Sequence, residues 1–306
     1  MAHNFETPQF LATAALAALH EVNILPSLLS RDYEADLTRR AIGDTVDIRI
    51  PGTFEAQTWT PGTEVTYQEV TETKVQVKLD TVHDVSFKAN ALENVQSIDN
   101  LNEQLMVPAM RALSTKIELS ILEKLAAAAT TEVGTGGQDA RPYSYDNAKV
   151  LIDARVALQK ALAPVADRYA LVGADMAGSW LDGLSNFSQV GDLENVALRE
   201  AALGRIQGFD VFETTNIAPA AEAPAAGEPT TEVGVAFQKG AAALAVGTLH
   251  NNNTNQAVVS EGGLSIRVTR AFNHALKEDL YSFDVLWGLN ALRPEHIVLI
   301  KGADQA

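Results

Sequence analysis

Apolar and polar residues alternate with a period of two over three stretches of the first 80 residues. The runs 45–51, 64–70 and 74–80 therefore predict strands. A turn-rich section around Trp59 separates the first run from the second. The pattern indicates a long two-stranded loop over 50–73, and because an isolated hairpin is marginal in water, this loop is expected to lie on another surface.

The most regular helical pattern extends over 92–129, where apolar residues recur at spacings of three and four. Pro108 interrupts this pattern, which predicts either a kink or a new helix with proline in its first turn. Upstream, 8–29 suits a short helix broken at Pro26, and 31–42 is charged without clear periodicity. The start of the chain is interpreted as an arm.

The second half of the chain mixes the two periodicities, so an α+β fold is expected. The stretch 218–229 consists largely of Ala, Pro and Glu without a large apolar side chain. The segment 218–231, which contains this stretch, is predicted to be an exposed loop that tolerates insertion of a small domain between Ala225 and Ala226. The helices predicted in this half are 145–162 and 176–184, and the strands are 169–172, 233–237, 264–270, 280–286 and 297–301.

Composition narrows the classes of function. With 46% hydrophobic residues the chain can bury a substantial core. A net charge of −16 repels phosphate, so specific recognition of nucleic acid is not expected and any contact with it would be non-specific. The absence of cysteine excludes disulfides and thiolate metal sites. The Ala-rich run 11–19 is too short for a membrane span.

Residues that carry chemistry form no catalytic or metal-binding pattern. The glycines at 134–137 precede Arg141 and Pro142 rather than a helix start, and no nucleophile elbow or phosphate-loop motif occurs. Glu118 and Glu123 are interpreted as part of a solvated, mixed-charge helix face. No catalytic residue, cofactor or metal is expected; an α/β enzyme with a pocket of perturbed titratable groups is the third-ranked alternative. The histidines, which are far apart, are His3, His20, His83, His250, His274 and His296.

Three segments resemble parts of one protein family: 107–122 resembles a spine helix, 198–217 with Gly204-Arg205-Ile206-Gln207-Gly208-Phe209-Asp210-Val211 resembles an axial segment, and 285–295 resembles a C-terminal ending. Together with the order of elements, they resemble the major capsid proteins of tailed bacteriophages, which have the Hong Kong 97-type fold. The likeness is greatest to coat proteins of short-tailed phages, although the inserted domain of those proteins is lacking here.

The resemblance implies a division of the chain. An N-terminal arm would occupy 1–30, and a peripheral domain with the spine helix would occupy 31–141, including the extended loop. An α/β axial domain would follow over 142–260. The C-terminal strands of 261–306 would return to the peripheral domain.

The resemblance also implies the function. The chain is expected to assemble through pentamers and hexamers into an icosahedral head enclosing double-stranded DNA, in the host cytoplasm, and to reside in the virion. Expected partners are further copies of itself, a separate scaffolding protein, a portal and decoration proteins; maturation cleavage is not expected, because the chain begins almost at once with the arm. The alternative is an encapsulin-type cargo compartment, which shares the fold.

The extended loop carries four glutamates and no Lys or Arg between 51 and 73. We hypothesise that it lies over basic residues of a neighbouring subunit, with Trp59 at the contact. Simple solvation of the loop is the alternative. The acidic candidates are Glu55, Glu64, Glu69 and Glu72, and the basic candidates are Arg39, Arg40, Arg111, Lys116 and Lys124.

Overall fold

The computed structural model describes most of the chain in segments. The described residues are 8–22, 25–31, 45–50, 54, 56–65, 67–68, 73–90, 105–135, 143–185, 203–217, 219–249, 255–261 and 264–306. The helices are α1 (Pro8–Val22), α2 (Leu25–Leu28), α3 (Val107–Ala128), α4 (Val150–Lys160) and α5 (Ala174–Ser185). The strands are β1 (Thr45–Ile50), β2 (Thr73–Lys78), β3 (Thr81–Asn90), β4 (Thr131–Val133), β5 (Arg168–Val172), β6 (Arg205–Ile206), β7 (Phe209–Glu213), β8 (Gly234–Gln238), β9 (Ala242–Gly247), β10 (Gln256–Glu261), β11 (Leu264–Asn273), β12 (Glu278–Ala291) and β13 (Ile297–Ile300).

A five-stranded antiparallel sheet is built around β12. Its order is β10-β11-β12-β3, and β9 pairs with the far half of β12. Residues of β12 alternate between core and outer face, so Tyr281, Phe283 and Trp287 are buried. Phe87 of β3 stacks on Tyr281 and Phe283, with ring centroids 5.4 and 5.8 Å apart. Helices α1 and α3 cover this apolar face.

Helix α3 begins at Val107 with Pro108 in its first turn, directly after a π-helical turn at Leu105 and Met106. The earlier part of the predicted helical region, 92–104, lies outside the described residues. Proline is favoured in the first turn because the first amide groups of a helix have no partner within it. Its buried residues recur every three or four positions and face the five-stranded sheet and α1. The large apolar members of this face are Met110, Leu113, Ile117, Ile121, Leu122 and Leu125.

A second, six-stranded sheet has the order β4-β13-β8-β5-β7-β6. Its central strands alternate between two cores. Leu171 of β5 joins the core beneath α3, whereas Ala170 and Val172 join the core beneath α4 and α5. The sheet is therefore buried on both faces, which explains why β5, β8 and β13 are almost continuously apolar.

The start of α5 is held by a buried acidic side chain. Both carboxylate oxygens of Glu232 accept backbone hydrogen bonds, at 3.1 Å from Asp175 N and 3.0 Å from Met176 N. A negative charge at this end is favoured because unpaired amide groups point out of a helix start. Gly173 makes room for the carboxylate, since a Cβ there would lie 2.5 Å from Glu232.

Several predicted elements are confirmed, namely β1, β2, β5, β8, β13 and α5. Others are wrong: the described residues of 64–70 form no strand, and the helix predicted from Tyr145 begins only at Val150 after a series of turns. Strand β3 was missed because polar residues occupy its outer positions and His83 interrupts its inner ones. Strands β9 and β10 were missed as well, and β11 and β12 extend beyond their predicted ends.

The predicted domain boundaries stay predictions, but the two sheets do not divide at those positions. Strand β9 and most of β10 fall within the predicted axial range 142–260, yet both pair within the five-stranded sheet. Strand β13, expected to return to the peripheral domain, lies between β4 and β8 in the six-stranded sheet. One continuous core joins residues of both sheets with α1 and α3.

The Ala- and Pro-rich loop is exposed over most of its described residues, 219–229. Its last part pairs with the end of the chain: Gly227 N donates to Gln305 O at 2.9 Å, and Gln305 N donates to Glu228 O at 2.8 Å. The amide group of Glu228 also closes a turn onto Ala225 O at 3.0 Å. Backbone hydrogen bonds therefore anchor the second part of the loop, 225–229, whereas none is found for the described residues of its first part, 219–224.

We expect a small folded domain inserted between Glu222 and Ala223 to leave the unfolding temperature of the subunit nearly unchanged, because lengthening a loop costs only about 0.6 kcal/mol per doubling. The point predicted from the sequence, between Ala225 and Ala226, lies inside the turn. The same domain inserted between Glu228 and Pro229 separates the pairing with the C-terminal tail and should destabilise the subunit, at roughly 1 kcal/mol per lost bond. Thermal unfolding followed by circular dichroism checks this, and equal effects at both points would contradict it.

Candidate assembly surfaces

A two-stranded ribbon carries the extended loop. Strands β1 and β2 pair antiparallel from Thr45–Lys78 to Ile50–Thr73, so the loop spans 51–72. The base of the ribbon is anchored: Ile48 and Val77 are buried against Ala243 and Ala245 of β9. The base of the ribbon is thus held against β9 of the five-stranded sheet.

The described part of the loop exposes large apolar side chains. Trp59 is 58% exposed and Tyr67 is 91% exposed, and Phe54 and Val65 are exposed as well. A tight turn positions Trp59: Thr63 N donates to Thr60 O at 3.2 Å, and the Trp59 indole donates to Thr63 O at 2.9 Å. Pro61 followed by Gly62, whose φ is 95°, suits a type II turn.

Clustered exposed apolar side chains usually mark a contact surface. Sequence reasoning singled out Trp59 but missed Phe54, Val65 and Tyr67. Phe54 carries such a signal, because it interrupts a polar, turn-rich stretch, whereas Val65 and Tyr67 fit the alternating pattern that predicted a strand over 64–70.

The predicted acidic candidates are only partly described. Glu64 is exposed beside the turn, as an interface role requires. Glu55, Glu69 and Glu72 lie outside the described residues, as do Arg39 and Arg40. The proposed charge contact therefore stays a prediction at those positions.

The three basic candidates on α3 differ from one another. Lys124 is bound within the subunit: its ammonium group lies 3.1 Å from Thr81 Oγ1, 3.9 Å from Asp80 Oδ1 and 4.7 Å from the centre of the Trp287 ring. Arg111 and Lys116 are exposed, and within the described ranges neither forms an ion pair. These two are the better candidates for a contact with a neighbour.

Lys124 belongs to a cluster that joins α3 to the sheet. The His83 ring lies 5.7 Å from that of Trp287, which is itself buried. Burial lowers the pKa of His83, and the positive charges of Lys116 and Lys124 lower it further. The folded subunit therefore favours the neutral imidazole beneath α3.

Two additional groups of exposed apolar side chains occur in the described residues. Leu276 is 62% exposed in the β11–β12 turn, beside Phe272. Leu162 and Val165 are exposed after α4, in a segment held by the buried Arg168, whose guanidinium donates to the carbonyls of Ala163 and Pro164 at 2.8 Å. Neither group was predicted from the sequence.

No group of three or more metal-ligating side chains is found in the ranges that the structure describes. None of the helices described is long and apolar enough to cross a membrane.

The family model of the phage capsid protein family matches residues 71–281, which is more than half of the chain. The chain belongs to the phage capsid protein family. As a member of this family it is a structural component of a virion, and the family match favours a phage capsid over a cargo compartment. No curated protein matches its sequence.

Solved structures show the fold of this phage capsid protein. A structure from Mycobacterium phage Che8 is 21% identical and covers 91% of this chain and 90% of its own, with a TM-score of 0.67. The capsid of cyanophage P-SCSP1u is 14% identical, covers 86% and 85%, and has a TM-score of 0.61. A virus-like particle from Pyrococcus furiosus is 14% identical, covers 95% and 97%, and has a TM-score of 0.53. These likenesses confirm the predicted Hong Kong 97-type fold.

The lowered pKa of His83 predicts that the stability of the capsid protein subunit depends on pH. In an unfolded chain His83 titrates near the ordinary histidine value of 6.5, whereas the folded chain, in which its pKa is lower, binds that proton less readily. The contribution of His83 to stability is therefore complete above pH 6.5 and falls as the pH drops from there through the lower folded pKa.

We expect acidification to destabilise the wild-type subunit more than a His83→Gln variant, because only the wild type gains a third positive charge beside Lys116 and Lys124. The measurement is the free energy of unfolding in urea at several pH values between neutral and about pH 5. Both proteins contain the same carboxylates, so their titration contributes equally to the two free energies of unfolding and cancels when these are subtracted. Identical pH dependence in the two proteins would contradict the assignment.

Proposed function

We propose that this chain is a major capsid protein that assembles through pentamers and hexamers into an icosahedral phage head enclosing double-stranded DNA. The observation that carries the proposal is the ribbon loop, whose apolar side chains extend away from the core of their own subunit. A surface of this kind is stable in water when a neighbouring copy covers it. Closed symmetry then repeats each contact many times.

The proposed role is structural rather than catalytic. The energy of a shell lies in its interfaces, and obligate interfaces commonly bury about 2,000–5,000 Å². The net charge of −16 favours a shell that contacts packaged DNA without base-specific recognition. Chains with this loop exposed would also adhere non-specifically, so we propose that a separate scaffolding protein directs assembly in the host cytoplasm, with a portal and decoration proteins joining the particle.

Within this assembly, we propose that the acidic loop lies over Arg111 and Lys116 of a neighbouring subunit. Both cations are exposed on α3, and Glu64 is exposed in the loop. Lys124 is the weakest of the candidates because its ammonium group already contacts Thr81, Asp80 and Trp287. Opposite charges at an interface set its register and its rate of association more than its affinity.

Electron microscopy of the wild-type protein, expressed together with the neighbouring phage genes, should show capsomers or closed shells. Reversing Glu64 and Glu69 to Lys should slow or abolish assembly while the subunit stays folded, because like charges then face each other. The matched control reverses Glu222 and Glu228, which are exposed in the Ala- and Pro-rich loop.

Adding Arg111→Glu and Lys116→Glu to the loop reversal should restore assembly by several-fold, since the charges are then exchanged rather than lost. Light scattering gives the assembly rate, and circular dichroism confirms the fold. Unchanged assembly after reversal of the loop charges would contradict the proposed charge contact, but it would not contradict the proposal that the chain forms a shell. A wild-type protein that stays monomeric with its phage partners present would overturn the proposed function itself.

A further inference from the structure

The turn that ends helix α4 contains a leucine where glycine would be expected. Leu162 N donates to Gln159 O at 3.0 Å. Ala163 N donates to Leu158 O at 2.9 Å. These two bonds form a Schellman motif, in which the residue at the position of Leu162 adopts the left-handed conformation. The φ of Leu162 is 58°, and this conformation favours glycine because a Cβ is crowded there.

Leucine at this position does not help its own subunit to fold. The Leu162 side chain is 87% exposed, so it adds almost no burial to the core. Four described residues other than glycine have a positive φ, and Leu162 is the only apolar one among these four. Glycine would relieve the backbone strain without loss of packing. A strained, exposed apolar side chain therefore indicates a function outside the fold of the subunit.

Buried side chains hold the segment 161–167 in place. The guanidinium group of Arg168, which is 2% exposed, donates to two carbonyl groups of the segment at 2.8 Å each. The buried His296 ring places its Nε2 atom 3.1 Å from Ala161 O. At the other end, Lys239 N donates to Asp167 O at 3.0 Å. A surface that is fixed in this way loses little conformational entropy on binding.

The segment presents a group of exposed apolar residues. Val165 is 55% exposed, and Pro164 and Ala166 are exposed as well. Together with Leu162, these residues form what we call the Leu162 surface. Neighbouring exposed apolar side chains on a rigid support are typical of a contact surface.

Charge selects the occupant of the Leu162 surface. Lys160 is exposed at one end and Asp167 at the other, so the formal charge of 160–167 is zero. The whole chain carries a net charge of −16, and two copies therefore repel each other over much of their surface. A neutral apolar surface between a positive and a negative charge is where a second copy meets the least repulsion.

A closed shell also requires more than one contact surface. One head-to-tail contact repeated around an axis closes a ring, and rings join into a shell only through a second contact. The ribbon loop supplies one contact. We propose that the Leu162 surface supplies another and packs against a second copy of the chain. This inference rests on the proposed function, because the partner is a copy in the same assembly.

Two substitutions at Leu162 separate assembly from folding. Leu162→Gly and Leu162→Asn both suit the left-handed conformation, so the unfolding temperature should not fall, and for glycine it should rise by about 2 °C. Both remove the apolar side chain, so the yield of closed shells should drop roughly tenfold or more. Circular dichroism gives the unfolding temperature, and light scattering with electron microscopy gives the yield.

Gln207→Gly is the matched control. Gln207 is exposed and has a φ of 50°, but its side chain is polar. Glycine relieves the same backbone strain there without removing an apolar contact, so this variant should assemble like the wild type.

The partner can be identified directly because the chain contains no cysteine. A Val165→Cys subunit is labelled with benzophenone maleimide, assembled with an excess of wild-type subunits and irradiated. It should crosslink to a second capsid chain, and mass spectrometry identifies the joined peptides. A product that contains a different protein, such as a scaffolding protein, would overturn the proposal, as would closed shells that give no product.

Leu162 variants that assemble like the wild type would overturn the proposal and leave the proposed shell intact. An equal loss of assembly in Gln207→Gly would do the same. A large fall in the unfolding temperature of Leu162→Gly would also overturn it, since the side chain would then be needed by the subunit itself. A wild-type chain that forms no shell would instead overturn the proposed function, and the contact at the Leu162 surface with it.

Discussion

Strand β12 pairs with β3 and β11 along its first part and with β9 along its last part. Its 14 residues extend the five-stranded sheet to the base of the ribbon. There the backbone of Gly288 passes so close to β2 that a Cβ would lie 2.0 Å from Lys78 O. Any larger residue would therefore separate the ribbon from the sheet. The packing of α3 and the direction of the loop both depend on this one strand.

The same strand explains how a compact subunit supports an extended surface. Trp287 of β12 is buried beneath α3, where Lys124 lies over its ring. On the other side of the core, β5, β8 and β13 contribute apolar residues to the same cluster. A separate small cluster, in which Ile48 and Val77 pack against Ala243 and Ala245 of β9, holds the ribbon at its base, whereas the described residues of the loop are exposed. Rigidity at the base and exposure at the tip are the combination that an assembling protein needs.

Local periodicity was enough to predict α3, β1, β2 and β5, because each has one dominant spacing of apolar residues. Pro108 lies in the first turn of α3, where one of the two predicted alternatives placed it. Periodicity did not find β3, whose pairing with β12 compensates for polar residues such as Asp84 and Ser86 on its outer face. Tertiary pairing of this kind has no local signature.

The same distinction between local sequence signals and tertiary contacts applies to the residues of the candidate surfaces. Charged side chains such as Glu64, Arg111 and Lys116 are expected at the surface, and the structure places all three there. The internal role of Lys124 depends on Trp287, which is far away in sequence. Glu118 was predicted to be part of a solvated face, but it is 8% exposed. That prediction was wrong because the segment after β7 covers the side chain, and the Asn216 amide group donates a hydrogen bond to its carboxylate. Sequence spacing on one helix cannot reveal which residue from another element will cover it.

Tryptophan quenching tests the central claim most directly, because the chain has three tryptophans and only Trp59 is exposed, while Trp180 and Trp287 are buried. Acrylamide should quench the fluorescence of Trp59 in dissociated monomers, and a Trp59→Phe variant should lose that accessible fraction. In assembled shells the account predicts that this fraction becomes protected. Quenching of Trp59 that is equal in monomers and shells would contradict the claim that assembly covers the loop.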